Sequence, residues 1–269
     1  MSYQQILYEV RDRIATVTLN RPEQLNAWTD VMAEEVYQAM HAAAADDEVR
    51  VIILTGAGKA FCAGGDITGF KSENPRQLID KLPRPYDFSR RADYQSRTAY
   101  FPSLSKPVIA MLNGATAGIG LVHALFCDLR FAASEAVMTT AFSRIGLASE
   151  YGMGWILNRV VGHANAIDLL LSARKVKGEE AHKLGLVNHV HAADQLAQAT
   201  YDYARDLAER VSPRSLRVMK QQLWDLPFQT LQEALVTDSA AMLEANVCED
   251  FKEGKRAFME KRAPRFTGR

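Results

Sequence analysis

Two short, almost wholly apolar runs constrain this chain more than any other feature. Residues 49–54 (VRVIIL) follow acidic Asp46-Asp47-Glu48 and end in Thr55-Gly56-Ala57-Gly58. Residues 108–112 (VIAML) open after Lys106-Pro107 and end in Asn113-Gly114. A strand with one wet face alternates apolar and polar residues, whereas a strand covered on both faces is apolar nearly throughout. Both runs therefore read as buried strands of a parallel sheet. Residues 128–132 (DLRFA) read as a third. Between them lie helical patterns. Val31, Met32, Val36, Ala39 and Met40 form a stripe up to about Ala45, with Thr29 or Asp30 as its cap. Residues 118–127 form a second, helix-like apolar stretch. The order is strand, helix, strand, loop, helix, strand, which is α/β alternation with helical crossovers.

Other segments fill in the outline. Ala15, Val17 and Leu19 alternate with Ile14, Thr16 and Thr18, and this strand stops at Asn20-Arg21-Pro22. Residues 71–104 hold Pro75, Pro83, Pro85 and Pro102 among charges of both signs, and read as a mostly helical insertion that shapes a binding site. The last third is helical, over 178–184, over 192–211, and again from Ser212-Pro213, an N-cap followed by proline at the first helical position.

Composition excludes several function classes. Lys+Arg 32 balance Asp+Glu 32, so a chain-wide nucleic-acid or anionic-membrane footprint is not expected. No apolar run approaches the ~20 residues of a membrane helix, and MSYQQILYEVRDR has no apolar signal core. The three cysteines (62, 127 and 248) have no metal-ligand spacing and read as free thiols in a reducing, cytoplasmic setting. Residues 250–269 carry seven Lys/Arg against three Asp/Glu, either a solvated surface or a local anion site.

The chemistry points to two glycine-bearing turns, residues 56–66 (GAGKAFCAGGD) and 113–120 (NGATAGIG), each after a buried strand. Helix N-termini carry unpaired N–H groups, and small residues let a ligand reach them. Two such turns side by side can aim two donors at one oxygen, as an oxyanion hole does. Neither turn is GxGxxG, GxxxxGK[ST] or GxSxG, so dinucleotide, P-loop and serine-elbow chemistry are unsupported.

Taken in order, LNRPEQLNA (19–27), GAGKAFCAGGD (56–66), LNGATAGIG with CDLRFA (112–132), RIGLASEYG (144–152) and KRAPRFTG (261–268) resemble the enoyl-CoA hydratase/isomerase, or crotonase, family. The resemblance implies an α/β fold of the ClpP/crotonase type, a spiral of ββα units with a helical C-terminal region. It divides the chain into a core carrying the acyl-CoA site (1–200) and a trimerisation region (201–269). It implies acyl-CoA thioesters as substrates, coenzyme A as part of the substrate with no separate cofactor, and a homotrimer or dimer of trimers. The oxyanion donors map to the N–H groups of Gly65 and Ile119. Leu25, Ala27, Ala63, Asp66 and Gly118 map to the substrate-binding wall, and Phe258 and Lys261 to tail positions that reach the nucleotide, often from a neighbouring subunit.

The carboxylates depart from one family pattern. The two glutamates of the hydratases fall on Val122 and Phe142, neither of which moves a proton. Glu150 falls where several family isomerases carry their acid, and apolar neighbours such as Phe142 and Ile119 would raise its pKa. The other reading of Glu150 is a cap on a helix opened by Ser149, or a partner for a surface arginine. Asp66 reads as the cap of a following helix and an anchor of its turn. The expected function is double-bond isomerisation of an enoyl-CoA with Glu150 as proton shuttle. The alternatives are a hydratase using Glu150 and water, and a non-catalytic CoA- or RNA-binding relative.

Overall fold

The computed structural model describes residues 3–66 and 91–269. The chain opens with a hairpin of β1 (Ile6–Arg11) and β2 (Ile14–Leu19), in which Arg11 faces Ile14. Both turn residues, Asp12 and Arg13, are left-handed, which matches the twist of the two strands. β2 runs parallel to β3 (Val51–Gly56), and β3 to β5 (Val108–Leu112). β5 pairs with β7 (Leu129–Ala133), and β7 with β10 (His189–His191). The sheet order is β1-β2-β3-β5-β7-β10. Apart from Gly56 and Leu129 at their ends, β3, β5 and β7 are buried along their length, as apolar runs without alternation require.

A smaller sheet lies alongside. β4 (Ala60–Cys62), β6 (Ala115–Ala117) and β8 (Val137–Thr139) are parallel neighbours, and β9 (Val176–Lys177) joins β8 antiparallel. Three times the chain leaves a long strand of the first sheet and enters a short strand of the second: β3 to β4, β5 to β6, β7 to β8. That repeated step is the ββα spiral. The short strands were not legible in the sequence, because three residues are too few to show a period.

Nine α-helices are present among the described residues: α1 (Asp30–Ala45), α2 (Ile119–Phe126), α3 (Met153–Val161), α4 (His163–Ser172), α5 (Gly178–Lys183), α6 (Ala193–Arg210), α7 (Pro213–Asp225), α8 (Leu231–Val247) and α9 (Glu249–Glu260). Thr29 caps α1 by accepting the Met32 N–H at 3.0 Å, and Ser212 caps α7 by accepting that of Ser215 at 3.1 Å. All eight residues of α2 are buried, so it runs through the core between the sheets and the outer helices. α7 is pinned to the core by a buried cation: Lys220 Nζ lies 2.8 Å from the Asp128 carboxylate and donates to the carbonyls of Phe101 and Lys106.

Some boundaries differ from the sequence reading. β3 starts at Val51 and runs through Thr55 to Gly56, because its pairing with β2 continues that far. β7 begins one residue later than expected, since the Asp128 carboxylate accepts the Val108 N–H and the Trp224 indole N–H. Of the expected helical insertion 71–104, residues 71–90 lie outside the described residues. Residues 91–104 hold only two short 3-10 turns, Ala92–Gln95 and Phe101–Ser103, because Pro102 and the anchoring of 101–106 by Lys220 leave no room for a longer helix.

Candidate active site

Parallel pairing of β4 with β6, Ala60 to Ala115 and Cys62 to Thr116, sets the two glycine turns side by side. They touch directly: a Cβ at Gly118 would stand 3.9 Å from the Gly64 Cα. The packing leaves no room for side chains. A Cβ at Gly120 would lie 2.5 Å from the Cys62 carbonyl oxygen, and one at Gly114 2.1 Å from that of Lys59. These glycines let the start of α2 rest on β4.

Trp28 ties the first turn in place. Its N–H donates to the Gly64 carbonyl at 2.8 Å, and its carbonyl accepts the Asp66 N–H at 2.9 Å. In such a parallel bridge the residue between the two bonded ones points its own N–H the other way, so that of Gly65 is turned away from Trp28. The Ile119 N–H is the first of α2 and has no partner one turn back. Among the described residues neither N–H donates a hydrogen bond. Two donors on touching loops, one at a helix N-terminus, can polarise a single oxygen.

The loop 25–27 closes one side. Leu25 and Asn26 are both left-handed. Asn26 is fully buried, donates to the carbonyls of Ala57 and Ala60, and accepts the Arg21 N–H. Ala63 N–H donates to the Leu25 carbonyl at 3.1 Å. The Arg21 guanidinium donates to the Ala27 carbonyl at 2.7 Å and to the Asp66 carboxylate at 2.9 Å. Leu25, Ala27, Ala63, Gly65, Asp66, Gly118 and Ile119 are thus gathered around one pair of turns. The helix that Asp66 was expected to cap falls on residues beyond the described ones, and what the structure gives it is the ion pair with Arg21. Phe258 and Lys261 stand elsewhere, on and just past the end of α9, with Phe258 86% exposed.

Glu150 sits on a loop of unusual backbone. Ala141, Gly146, Tyr151 and Gly152 are all left-handed. Glu150 is half-buried, and that burial raises its pKa above the ordinary glutamate value. The helix-capping alternative does not hold: the Ser149 hydroxyl accepts the Gly154 N–H at 3.0 Å, and α3 begins only at Met153, because left-handed Gly152 delays it. Arg144 is committed to the carbonyls of Ser172 and Ala173. Among the described residues no hydrogen bond or ion pair engages the Glu150 carboxylate. The Tyr151 phenol is raised by burial, then by the neighbouring Glu150 and by Asp30. Val122 and Phe142 are both buried and apolar.

Two nearby reactive groups are silenced by burial. The Cys62 thiol is pushed up to about 11, and the His123 imidazole down to about 3. His123 packs against Trp28 with ring centroids 4.0 Å apart. Next to Glu150 a cavity of about 370 Å³ is lined by Tyr94, Phe126, Tyr151, Gly152, Trp155 and Phe228, among others. Sequence reasoning missed Tyr94, Phe126, Trp155 and Phe228. They come from separate elements, and no spacing announces that they meet.

The family model described as enoyl-CoA hydratase/isomerase matches residues 9–269. The chain is 35% identical to the 1,2-epoxyphenylacetyl-CoA isomerase of Escherichia coli (strain K12), over 98% of each chain. It is 37% identical to a probable enoyl-CoA hydratase of Rhodobacter capsulatus over the whole of both. The crystal structure of an enoyl-CoA hydratase from Bacillus anthracis superposes with a TM-score of 0.90 at 28% identity, covering 99% of this chain and 100% of that one. The fold, the paired glycine turns and the match along almost the whole length lead to one assignment: this chain is an enzyme of the enoyl-CoA hydratase/isomerase, or crotonase, family.

Proposed function

We propose that the enzyme shifts a carbon–carbon double bond in an enoyl-CoA thioester, with Glu150 carrying the proton between two carbons. The thioester oxygen accepts hydrogen bonds from the Gly65 and Ile119 N–H groups. The Glu150 carboxylate removes a proton from C2 of a 3-enoyl thioester. The electron pair spreads over the dienolate, and its charge rests on the oxygen held by the two donors, each contributing about 3–4 kcal/mol. The same carboxyl then returns the proton to C4, the pair closes as the conjugated 2-ene, and Glu150 is again ionised. One carboxyl suffices because both carbons are two bonds apart.

The observation that carries this reading is the state of Glu150: half-buried, raised in pKa, and engaged by no described partner. Adding water calls for two proton-transfer groups on opposite sides of the double bond, and the positions that would supply them are occupied by Val122 and Phe142. The names of the relatives divide between isomerase and hydratase, and the preference for isomerisation rests on these side chains.

The loop at Leu25 and Ala27, with Ala63, Asp66 and Gly118, forms the wall for the CoA portion, which enters as part of the substrate with no further cofactor. Phe258 and Lys261 serve the nucleotide of a neighbouring subunit in a trimer or dimer of trimers. Lys261 supplies positive charge for a phosphate. The exposed apolar residues of α8, Leu231, Leu235, Val236, Leu243 and Val247, support burial between subunits.

Incubation with 3-hexenoyl-CoA tests the reading. The conjugated thioester chromophore is expected to appear, while crotonyl-CoA keeps its chromophore. Loss of the crotonyl-CoA signal with no change in 3-hexenoyl-CoA would assign hydration instead.

A further inference from the structure

We infer that the cavity next to Glu150 is a recognition pocket for a ring, so that thioesters whose acyl group ends in a six-membered ring bind in preference to straight chains of equal carbon number. This rests on the acyl-CoA reading above and adds the nature of the acyl group.

The cavity, of about 370 Å³, falls in the range of small-molecule pockets. It reaches the turn that carries Glu150, because Tyr151 and Gly152 are part of its wall. The Phe126 ring comes within 3.5 Å of where a Gly152 side chain would stand, so glycine there keeps the space open. Five of the ten lining residues are aromatic, and Asp93, Ser96, Thr98 and Ala99 complete the wall with Gly152. Phe126 and Trp155 lie 14° from parallel with centroids 6.5 Å apart, and Trp155 and Phe228 20° from parallel at 5.7 Å. Tyr94 meets Phe228 edge-on at 6.0 Å, and its hydroxyl donates to the Trp224 carbonyl. The guanidinium groups of Arg159 and Arg91 stack on Trp155 and Phe228 at 3.8 and 4.0 Å. These contacts fix the rings before any ligand arrives, so little ordering remains to oppose binding.

A pre-formed aromatic wall discriminates by shape. A flat ring presents faces and edges to it and gains stacking and edge-to-face contacts beyond the area it buries. A straight chain of the same carbon number buries similar area but loses the freedom of several rotatable bonds.

Calorimetric titration with phenylacetyl-CoA and octanoyl-CoA, both with eight acyl carbons, compares the two shapes on ligands without a double bond to shift. Phenylacetyl-CoA is expected to bind more tightly by about fivefold. Trp155→Leu and Phe228→Leu are expected to bring that ratio near one; Phe228 is only half-buried, so its variant serves if the Trp155 change unfolds the chain. Equal binding in the wild type, a preference for octanoyl-CoA, or a ratio that survives in the folded variant overturns the ring pocket alone. Failure of both thioesters to bind overturns the acyl-CoA reading, and the ring pocket with it.

Discussion

The paired turns at 56–66 and 112–120 and the loop at 141–152, to which the proposed mechanism assigns the two halves of the chemistry, are built in opposite ways. The turns are rich in glycine, buried at 60–62 and 118–120, and held from elsewhere: the Asn26 side chain bonds into the first, the Trp28 backbone bridges it, and Asn113 accepts the Gly56 N–H. They offer backbone N–H groups, while burial silences the Cys62 thiol and Arg21 pairs with Asp66. The loop is largely exposed, repeatedly left-handed, and offers one carboxylate. In the proposed mechanism, binding of the thioester oxygen is therefore tied to the stability of the core. The proton chemistry proposed for Glu150 hangs on a position that can change without disturbing that core. One scaffold can thus serve different reactions on the same kind of thioester.

Substitutions on the two sides should separate accordingly. The largest effect is expected for Glu150→Gln, which keeps the shape and removes the base. Turnover of 3-hexenoyl-CoA should fall by about 10²–10⁴-fold, while thioester affinity from calorimetry stays within about twofold. In the wild type, the acid limb of kcat/KM should lie above the ordinary glutamate value of 4.5, because burial raises the pKa and the reaction starts from the ionised form. An acid limb at or below that value would contradict a desolvated base.

On the other side, Asn26→Ala removes three hydrogen bonds from a fully buried position and leaves alanine in a left-handed conformation. Chemical denaturation should show a loss of about 2–4 kcal/mol, and thioester binding should weaken with it. A stable Asn26→Ala variant with intact binding would break the link between core and binding. Asp66→Asn loses the partly buried pair with Arg21, and a smaller loss of about 1 kcal/mol is expected by the same measurement.

The smallest effect concerns stability at Glu150 itself. A carboxyl whose folded pKa is raised favours folding when protonated, and that contribution is lost as the pH rises through the raised value. Glu150→Gln should therefore raise the thermal midpoint slightly at neutral pH, and the gain should vanish below about pH 4. The turns predict the opposite sign for Asn26→Ala at any pH.

The same contrast explains what could be read from the sequence. β3 and β5 were legible because full burial writes a continuous apolar run, and α1 because Thr29 and its stripe agree. The two glycine turns were visible as composition, and their meeting as an expectation. The pairing of β4 with β6 that brings them together was not, since short strands carry no period. Glu150 was found from its place in a motif, and no local pattern reveals that Ser149 does the capping while its neighbour is left without a described partner. The aromatic cavity was illegible because Phe126, Trp155 and Phe228 lie far apart along the chain and meet through packing alone.

The most direct test is a crystal structure of the Glu150→Gln variant with 3-hexenoyl-CoA bound. The thioester oxygen is expected about 3 Å from both the Gly65 and Ile119 nitrogens, with the side chain at 150 about 3–4 Å from C2 and C4. A thioester oxygen held by other groups, or a side chain at 150 turned to solvent with C2 and C4 beyond its reach, would contradict the account.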